Sequence, residues 1–173
     1  MLILAIDPGP TQSALLVYQS DTNLIAWADI LENADALKVC LGSTEKCPYL
    51  AQHLVVEMVE SFGMAVGKEV FETVFWVGRF FQAWRGGDDV RHRVYRKQVK
   101  MHLCQSMRAK DPNIRQALID MFPKTGKDGK GRPSAIGTKN AKGLLFGLHD
   151  DLWSALAVAV TWTALNPGVT ASG

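Results

Sequence analysis

Two short, unbroken apolar runs in this sequence each end on an acidic residue. Residues 2–6 read Leu-Ile-Leu-Ala-Ile and lead into Asp7, and residues 54–56 read Leu-Val-Val and lead into Glu57. Runs of this length and composition are typical of strands that are buried on both faces of a sheet. If the two strands are parallel neighbours, both carboxylates emerge at the same edge of that sheet.

The remaining pattern predicts a mixed α/β chain with one central sheet. We expect strands at residues 2–6, 13–18, 24–30, 54–57 and 90–94, and helices at residues 33–40, 64–85, 98–108, 111–122 and 150–165. Short turns separate the first three strands, which predicts an antiparallel meander. Two parallel strands then complete a five-stranded sheet flanked by helices. No repeat or second domain is visible, so residues 1–173 are interpreted as a single domain.

The predicted helix at residues 64–85 carries two apolar stripes on adjacent faces. The first stripe contains Val66, Val70, Val74, Val77, Phe81 and Trp84, and the second contains Phe71, Phe75 and Gly78. One stripe must cover the sheet. The other is either exposed in a monomer, which suggests a helix–helix contact in a dimer, or enclosed within the same domain.

A third acidic position opens the last predicted helix, at Asp150 and Asp151. A helix packed on the sheet could bring Asp151 towards Asp7 and Glu57. Carboxylates crowded in this way repel one another unless a cation neutralises them. Oxygen ligands without thiolates suit Mg²⁺ or Mn²⁺, and such a cluster suits two-metal cleavage of a phosphodiester. Each acid alone also has a structural interpretation, as a turn cap, an exposed strand end or a helix cap.

Basic residues collect in two places that could contact DNA. Residues 124–142 are rich in glycine and almost free of apolar side chains, so we expect a flexible loop there rather than a core element. This loop carries Lys124, Lys127, Lys130, Arg132, Lys139 and Lys142 against Asp128 alone. The second cluster contains Arg91, Arg93, Arg96, Lys97 and Lys100. Both indicate contacts with phosphates, and a solvated linker and a solvated basic face are the structural alternatives.

Three motifs, in the same order along the chain, resemble those of the RuvC-type Holliday junction resolvases. Residues 5–13, Ala-Ile-Asp-Pro-Gly-Pro-Thr-Gln-Ser, resemble the opening Asp-x-Gly turn of that family. Residues 55–59, Val-Val-Glu-Met-Val, are similar to its second motif, a strand ending in a glutamate. Residues 149–159, His-Asp-Asp-Leu-Trp-Ser-Ala-Leu-Ala-Val-Ala, resemble its closing motif. Residues 90–99 also resemble the strand and basic turn between these motifs.

The resemblance implies an RNase H-like fold and a homodimer that nicks four-way DNA junctions symmetrically, as in recombination and repair. It implies Mg²⁺ or Mn²⁺ as the cofactor. Asp7, Glu57 and Asp151 would be the catalytic metal ligands, and Asp150 is the alternative to Asp151. The family pattern places another acid at the position that aligns with Ser154, so this chain departs from the pattern there.

The resemblance also implies which residues grip the DNA. Arg96 and Lys97 would contact phosphates near the scissile bond. Lys100, in the same basic cluster, is a further candidate DNA contact. Phe62 follows Glu57 in a segment that would probe the junction centre, where an aromatic ring can wedge between unstacked bases. The compact size of the chain suits a virus-encoded resolvase.

Three other functions stay open on the sequence. A nuclease of the same fold could act on RNA–DNA hybrid or flap DNA, and Ser154 favours a module that binds DNA without cutting it. An actin-like phosphotransferase also opens on Asp-x-Gly, but 173 residues are too few for a two-lobed nucleotide cleft.

Composition bears on where the protein is found. The net charge of +2 identifies no partner. The odd number of cysteines and the lack of an apolar segment of about 20 residues predict a reduced, cytoplasmic protein with no membrane contact.

Overall fold

The computed structural model describes residues 1–42, 44–60 and 65–170. Its centre is a five-stranded sheet formed by β1 (Leu2–Pro8), β2 (Gln12–Gln19), β3 (Leu24–Glu32), β4 (His53–Met58) and β5 (Arg91–Tyr95). The strand order across the sheet is β3-β2-β1-β4-β5. The first three strands pair antiparallel, and β4 pairs parallel with both β1 and β5. The predicted mixed sheet, with three antiparallel strands and then two parallel ones, is confirmed.

The two strands in the middle of the sheet are apolar because both of their faces are covered. Their core residues are at most 1% exposed and comprise Ile3, Leu4, Ala5, Ile6, Leu54, Val55 and Val56. Ile6 lies opposite Val56 in the parallel register. The next residue in each strand is an acid, so this register places Asp7 and Glu57 at the same edge of the sheet.

Helices cover both faces of the sheet. They are α1 (Asn33–Leu41), α2 (Lys68–Ala83), α3 (Arg96–Cys104), α4 (Asp111–Met121), α5 (Leu152–Leu165) and the short α6 (Pro167–Thr170). Helices α3, α4 and α5 form a core with Ile3 and Ala5, and α1 and α2 form the opposite core with Leu4 and Ile6. This alternation along β1 follows the two-residue period of a strand. Among the described residues, none of the helices combines the length and apolarity needed to cross a membrane.

Helix α5 is buried around most of its circumference, which explains its apolar, alanine-rich sequence. All residues from 152 to 162 are buried except Ser154. Ala155, Ala157 and Ala159 are fully buried, and their small side chains let the helix lie close to the sheet. The helix begins at Leu152, two residues later than predicted, because Asp150 adopts a left-handed backbone conformation with φ of 43°. Ser154 is therefore the residue of this stretch that is left facing a cleft.

Helix α2 is shorter than predicted, and its buried face matches the predicted one only in part. Its buried residues are Thr73, Val77 and Phe80, and Trp84 directly after the helix is also buried. The predicted first stripe is therefore confirmed at Val77 and Trp84 and wrong at Val66 and Val74, which are 37% and 38% exposed. Of the two alternatives for the second stripe, the structure shows the exposed one, because Phe71 and Phe75 are 64% and 60% exposed. This face is not enclosed by the described part of the chain.

The glycine-rich segment at residues 124–142 folds into two short hairpins. Strand β6 (Gly126–Lys127) pairs with β7 (Pro133–Ser134), and β8 (Gly137–Thr138) pairs with β9 (Ala141–Lys142). Ala135 between the hairpins is fully buried in the core under α5. The prediction of a loop that contributes nothing to the core was therefore wrong. Its glycines permit close approach of backbone to backbone rather than simply loosening the chain.

We predict that Gly137→Ala destabilises the protein by about 1–3 kcal/mol. Gly137 has φ of 76°, and a Cβ at this position would lie 2.2 Å from the carbonyl oxygen of Ala141. The matched control is Gly129→Ala in the same segment, where an added Cβ meets nothing within 4 Å. Urea unfolding should show the control within about 0.5 kcal/mol of wild type. Equal stability of the two variants would contradict this account of the segment.

Candidate active site

Asp7 and Glu57 lie side by side at the edge of the sheet, where β1 and β4 end. The two carboxyl groups are close enough for each to shift the pKa of the other. Glu57 is only 9% exposed, although it is an ionisable residue. Two adjacent buried carboxyl groups are unfavourable when both are charged, so this position calls for a proton or a cation between them.

Asp151 joins this pair from the start of α5. It lines the same cleft as Asp7 and Glu57, a space of about 430 Å³, and its charge contributes to the raised pKa of Asp7. Asp150 does not lie with them, because its side chain is 79% exposed and contacts His149 Nδ1 at 3.0 Å. The structure thus groups Asp7, Glu57 and Asp151, and places Asp150 in an adjoining cleft.

Arg96, the first residue of α3, reaches into the cluster. Its Nη1 donates to both carboxylate oxygens of Glu57 at 3.4 Å and to Ser154 Oγ at 3.4 Å. Its Nη2 donates to Asp111 Oδ1. The side chain is 27% exposed. The guanidinium therefore lies among oxygens from β4, α4 and α5 rather than on the rim of the cleft.

Asp111 is a residue of this cleft that sequence reasoning missed. The sequence placed it at the start of the predicted helix at residues 111–122 and suggested no chemical role for it, and it is the first residue of α4. It lines the cleft together with Asp7, Glu57 and Asp151. No local pattern distinguishes it from an ordinary residue at a helix start, because its proximity to the site depends on how α3 and α4 pack.

Burial dominates the electrostatics of the two strand-end acids. It raises the pKa of Asp7 well above the ordinary carboxyl value, and the negative charges of Glu57 and Asp151 raise it further. Burial also raises the pKa of Glu57, and the nearby Arg96 charge opposes that shift. The site therefore takes up positive charge readily.

The donor set fits a hard divalent cation. Asp7, Glu57 and Asp151 offer carboxylate oxygens, which are the ligands that Mg²⁺ and Mn²⁺ prefer. In the geometry of residues 1–42, 44–60 and 65–170, however, no three acidic, histidine or cysteine side chains are arranged around one point to hold an ion. Side-chain rearrangement would be needed for all three carboxylates to share one cation.

The predicted DNA-contacting residues are distributed unevenly around the site. Arg96, Lys97 and Lys100 line a small cleft on α3 next to the carboxylates. Lys97 Nζ also lies 2.6 Å from Glu60 Oε1. The predicted DNA-contacting residues of the hairpin segment are exposed, but in the described chain none of them lines either acidic cleft. They are Lys124, Lys127, Lys130, Arg132 and Lys139. Phe62 lies outside the described residues.

Comparison with solved structures identifies the fold. No protein-family model matches the chain, and no curated protein matches it in sequence. Two solved structures are similar to it, Thermus thermophilus RuvC in complex with a Holliday junction substrate and Thermus thermophilus RuvC. Each superposition covers 98% of this chain and 96% of the other, with a TM-score of 0.61 and 16% sequence identity.

The chain therefore has an RNase H-like fold. Within that class its arrangement of strands and helices is that of RuvC, as the three sequence motifs predicted.

The raised pKa values predict how metal-free protein responds to pH. The folded pKa values of Asp7 and Glu57 lie above the unfolded ones, so the folded state binds more protons over the intervening range. Stability in EDTA should consequently fall as pH rises from about 4, the ordinary carboxyl pKa, through the raised values. Asp7→Asn should flatten this decline and raise the urea midpoint at pH 7.

The matched control for this variant is Asp120→Asn, which changes an exposed aspartate on α4. It should leave both the pH slope and the urea midpoint unchanged. A wild-type stability that falls no more steeply between pH 5 and 8 than that of Asp7→Asn would contradict the unfavourable burial of these acids. The difference between the two proteins is the measure, because burial lowers the pKa values of His53 and His92 in both.

Proposed function

We propose that this protein is a metal-dependent endonuclease that cuts branched DNA, with the four-way junction as its substrate. One observation carries the proposal. Three carboxylates from β1, β4 and the start of α5 line one cleft, at the strand-end edge of a fold shared with RuvC. That relative was solved with a Holliday junction substrate bound.

Asp7, Glu57 and Asp151 are the residues that would hold Mg²⁺ or Mn²⁺. When bound, the ion supplies an activated water and neutralises charge on the phosphodiester. The contribution of the chain is to place two carboxylates near the ends of buried strands and a third directly before the buried helix α5, from which their side chains can turn towards one ion. Burial of Asp7 and Glu57 makes two adjacent negative charges unfavourable, which favours the binding of a cation between them.

Basic residues would hold the DNA against this acidic cleft. Arg96, Lys97 and Lys100 project from α3 beside the carboxylates and can offset their repulsion of a phosphate. The exposed lysines and arginine of the hairpin segment would contact the DNA further from the cut. Phe62, from the segment after Glu60, would enter the junction centre.

We infer that the protein acts as a homodimer through the exposed face of α2. Phe71, Val74 and Phe75 are 64%, 38% and 60% exposed on this helix. Large apolar side chains grouped on one helical face are typical of protein contacts. A twofold contact of this kind would present two acidic clefts, one for each strand to be nicked in a four-way junction.

Cleavage of synthetic junctions tests the proposed activity. We expect wild-type protein to cut a four-way junction with Mg²⁺ or Mn²⁺ in preference to linear duplex, flap DNA and RNA–DNA hybrid. Asp7→Asn should lower the cleavage rate by roughly 10²–10⁴-fold, the usual effect of losing a positioned catalytic group. Junction binding by this variant should stay within about threefold of wild type, since the basic residues are intact.

Asp120→Asn should cleave like wild type and controls for a general loss of negative charge. Tight junction binding by the wild type without cleavage in either ion would refute the nuclease. It would favour a DNA-binding module instead, for which the neutral Ser154 in the cleft is the supporting observation. Preferential cutting of flap DNA or RNA–DNA hybrid would change the proposed substrate but would leave the proposed enzyme class, a nuclease, unchanged.

Sedimentation equilibrium tests the dimer. The double change Phe71→Asp and Phe75→Asp should raise the dissociation constant of the wild-type dimer by about a hundredfold or more, because carboxylates buried in an apolar contact are unfavourable by several kcal/mol. Leu165→Asp is the control, since Leu165 is 51% exposed on α5, which packs on the opposite face of the sheet from α2. A wild-type protein that sediments as a monomer at high concentration would rule the contact out.

A further inference from the structure

The position of Arg96 is unusual for a residue whose only task is to grip DNA. Its guanidinium contacts an acidic or hydroxyl oxygen on three separate elements, Glu57 on β4, Asp111 on α4 and Ser154 on α5. A side chain that only scans phosphates gains nothing from being fixed on three sides. This arrangement holds a permanent positive charge at one place in the cleft, because an arginine side chain stays protonated in proteins.

The charges around Arg96 explain why a cation is stable there. Five acidic residues line the cleft that the guanidinium enters, namely Asp7, Glu57, Glu60, Asp111 and Asp151. Of these, Glu60 is paired with Lys97, whose Nζ lies 2.6 Å from Glu60 Oε1. The charges of Glu57 and Asp111 raise the pKa of Arg96 even though burial alone would lower it. The Arg96 charge in turn opposes the upward pKa shifts of Asp7 and Glu57. Arg96 and the acids therefore stabilise one another in their charged forms.

Ser154 makes this position better suited to an arginine than to a second metal ion. Its hydroxyl accepts a hydrogen bond from Arg96 Nη1 but brings no negative charge. Among residues 151–165, Asp151 is therefore the residue that offers a carboxylate to this cleft. A divalent ion beside Ser154 would lack an anionic ligand on that side, whereas a guanidinium needs only hydrogen-bond acceptors in its plane.

We propose that Arg96 is a built-in cation of the active site, which occupies the second cation position and leaves the protein to bind a single divalent ion. The proposal rests on the proposed nuclease function. The exchangeable ion would belong to Asp7, Asp151 and the outer side of Glu57. Arg96 would neutralise Glu57 and Asp111 and direct its remaining N–H groups to the phosphate, since a guanidinium has five donors.

Counting bound Mn²⁺ on DNA-free protein tests the proposal. Wild-type protein, first stripped with EDTA and then dialysed, should bind one Mn²⁺ per chain by calorimetry and by electron paramagnetic resonance of the free ion. Arg96→Gln should bind two, because Glu57 and Asp111 lose their neutralising charge. Arg96→Lys should stay at one, because lysine keeps the charge although it loses the planar fork.

The matched control is Arg115→Gln. Arg115 lies in the adjoining cleft with its guanidinium 4.7 Å from the centre of the Trp153 ring. Its loss removes the same charge from the same region without removing a carboxylate partner, so the count should stay at one. Asp111→Asn should also stay at one with affinity within about twofold; a tenfold weaker affinity would make Asp111 a metal ligand and overturn the proposal.

Thermal unfolding gives a second readout that does not depend on cleavage. In EDTA at pH 7, Arg96→Gln should melt below both wild type and Arg115→Gln, since its acids lack a cation. Saturating Mn²⁺ should raise its melting temperature by more than it raises that of wild type. If the variant does not fold without metal, Arg96→Lys carries the comparison, and a count of two for this variant would overturn the proposal.

Two Mn²⁺ ions in the wild type, or one in Arg96→Gln, would also overturn it. These outcomes are distinct from failure of the proposed function. A protein that binds one Mn²⁺ and gains a second in Arg96→Gln but never cuts DNA would sustain the built-in cation and refute the nuclease. A protein that binds no Mn²⁺ would refute both.

Discussion

The parallel pairing of β1 with β4 places two acidic side chains together, and the surrounding elements of the structure must accommodate them. Because Ile6 and Val56 are in register, the following acids come to lie together at one edge of the sheet. The same pairing buries the residues before them on both faces, so neither strand can move its acid away without losing core contacts. The elements around this edge therefore have to supply compensation for two adjacent carboxyl groups.

That compensation comes from segments that are distant in sequence. Arg96 begins α3 directly after β5, and β5 is itself the parallel neighbour of β4. The end of β5 thus brings a cation to the edge of the sheet at which Glu57 lies, one residue before the end of β4. Asp111 then balances the other side of the guanidinium from α4. The arrangement of charges follows from the strand order, because the ends of the parallel strands β1, β4 and β5 lie at the same edge of the sheet.

The sequence was informative where the determining pattern was local. Asp7 and Glu57 could be predicted because an apolar run ending in an acid is visible within six residues. Asp111 could not, since its role depends on packing between two helices. The buried stripe of α2 was predicted only in part, because valine and phenylalanine occur around most of that helix and the packing against the sheet decides which of them are buried. The glycines at residues 126 and 137 suggested a flexible loop. In the structure they permit hairpins in which neighbouring backbone segments pack so closely that no Cβ would fit.

The likeness to RuvC at 16% identity shows how little of the sequence this fold requires. The fold needs apolar strands in the right order and a helix whose side chains are small enough for it to pack closely on them. Helix α5 meets the second requirement with alanines at three fully buried positions. Ser154 is under no such constraint, because it faces the cleft rather than the core. Charge at that position can therefore change without disturbing the fold, provided that another group keeps the carboxylates neutralised. Arg96 lies within hydrogen-bonding distance of Ser154 and Glu57, so the residue that departs from the RuvC-type closing motif is in direct contact with the cation beside the acids.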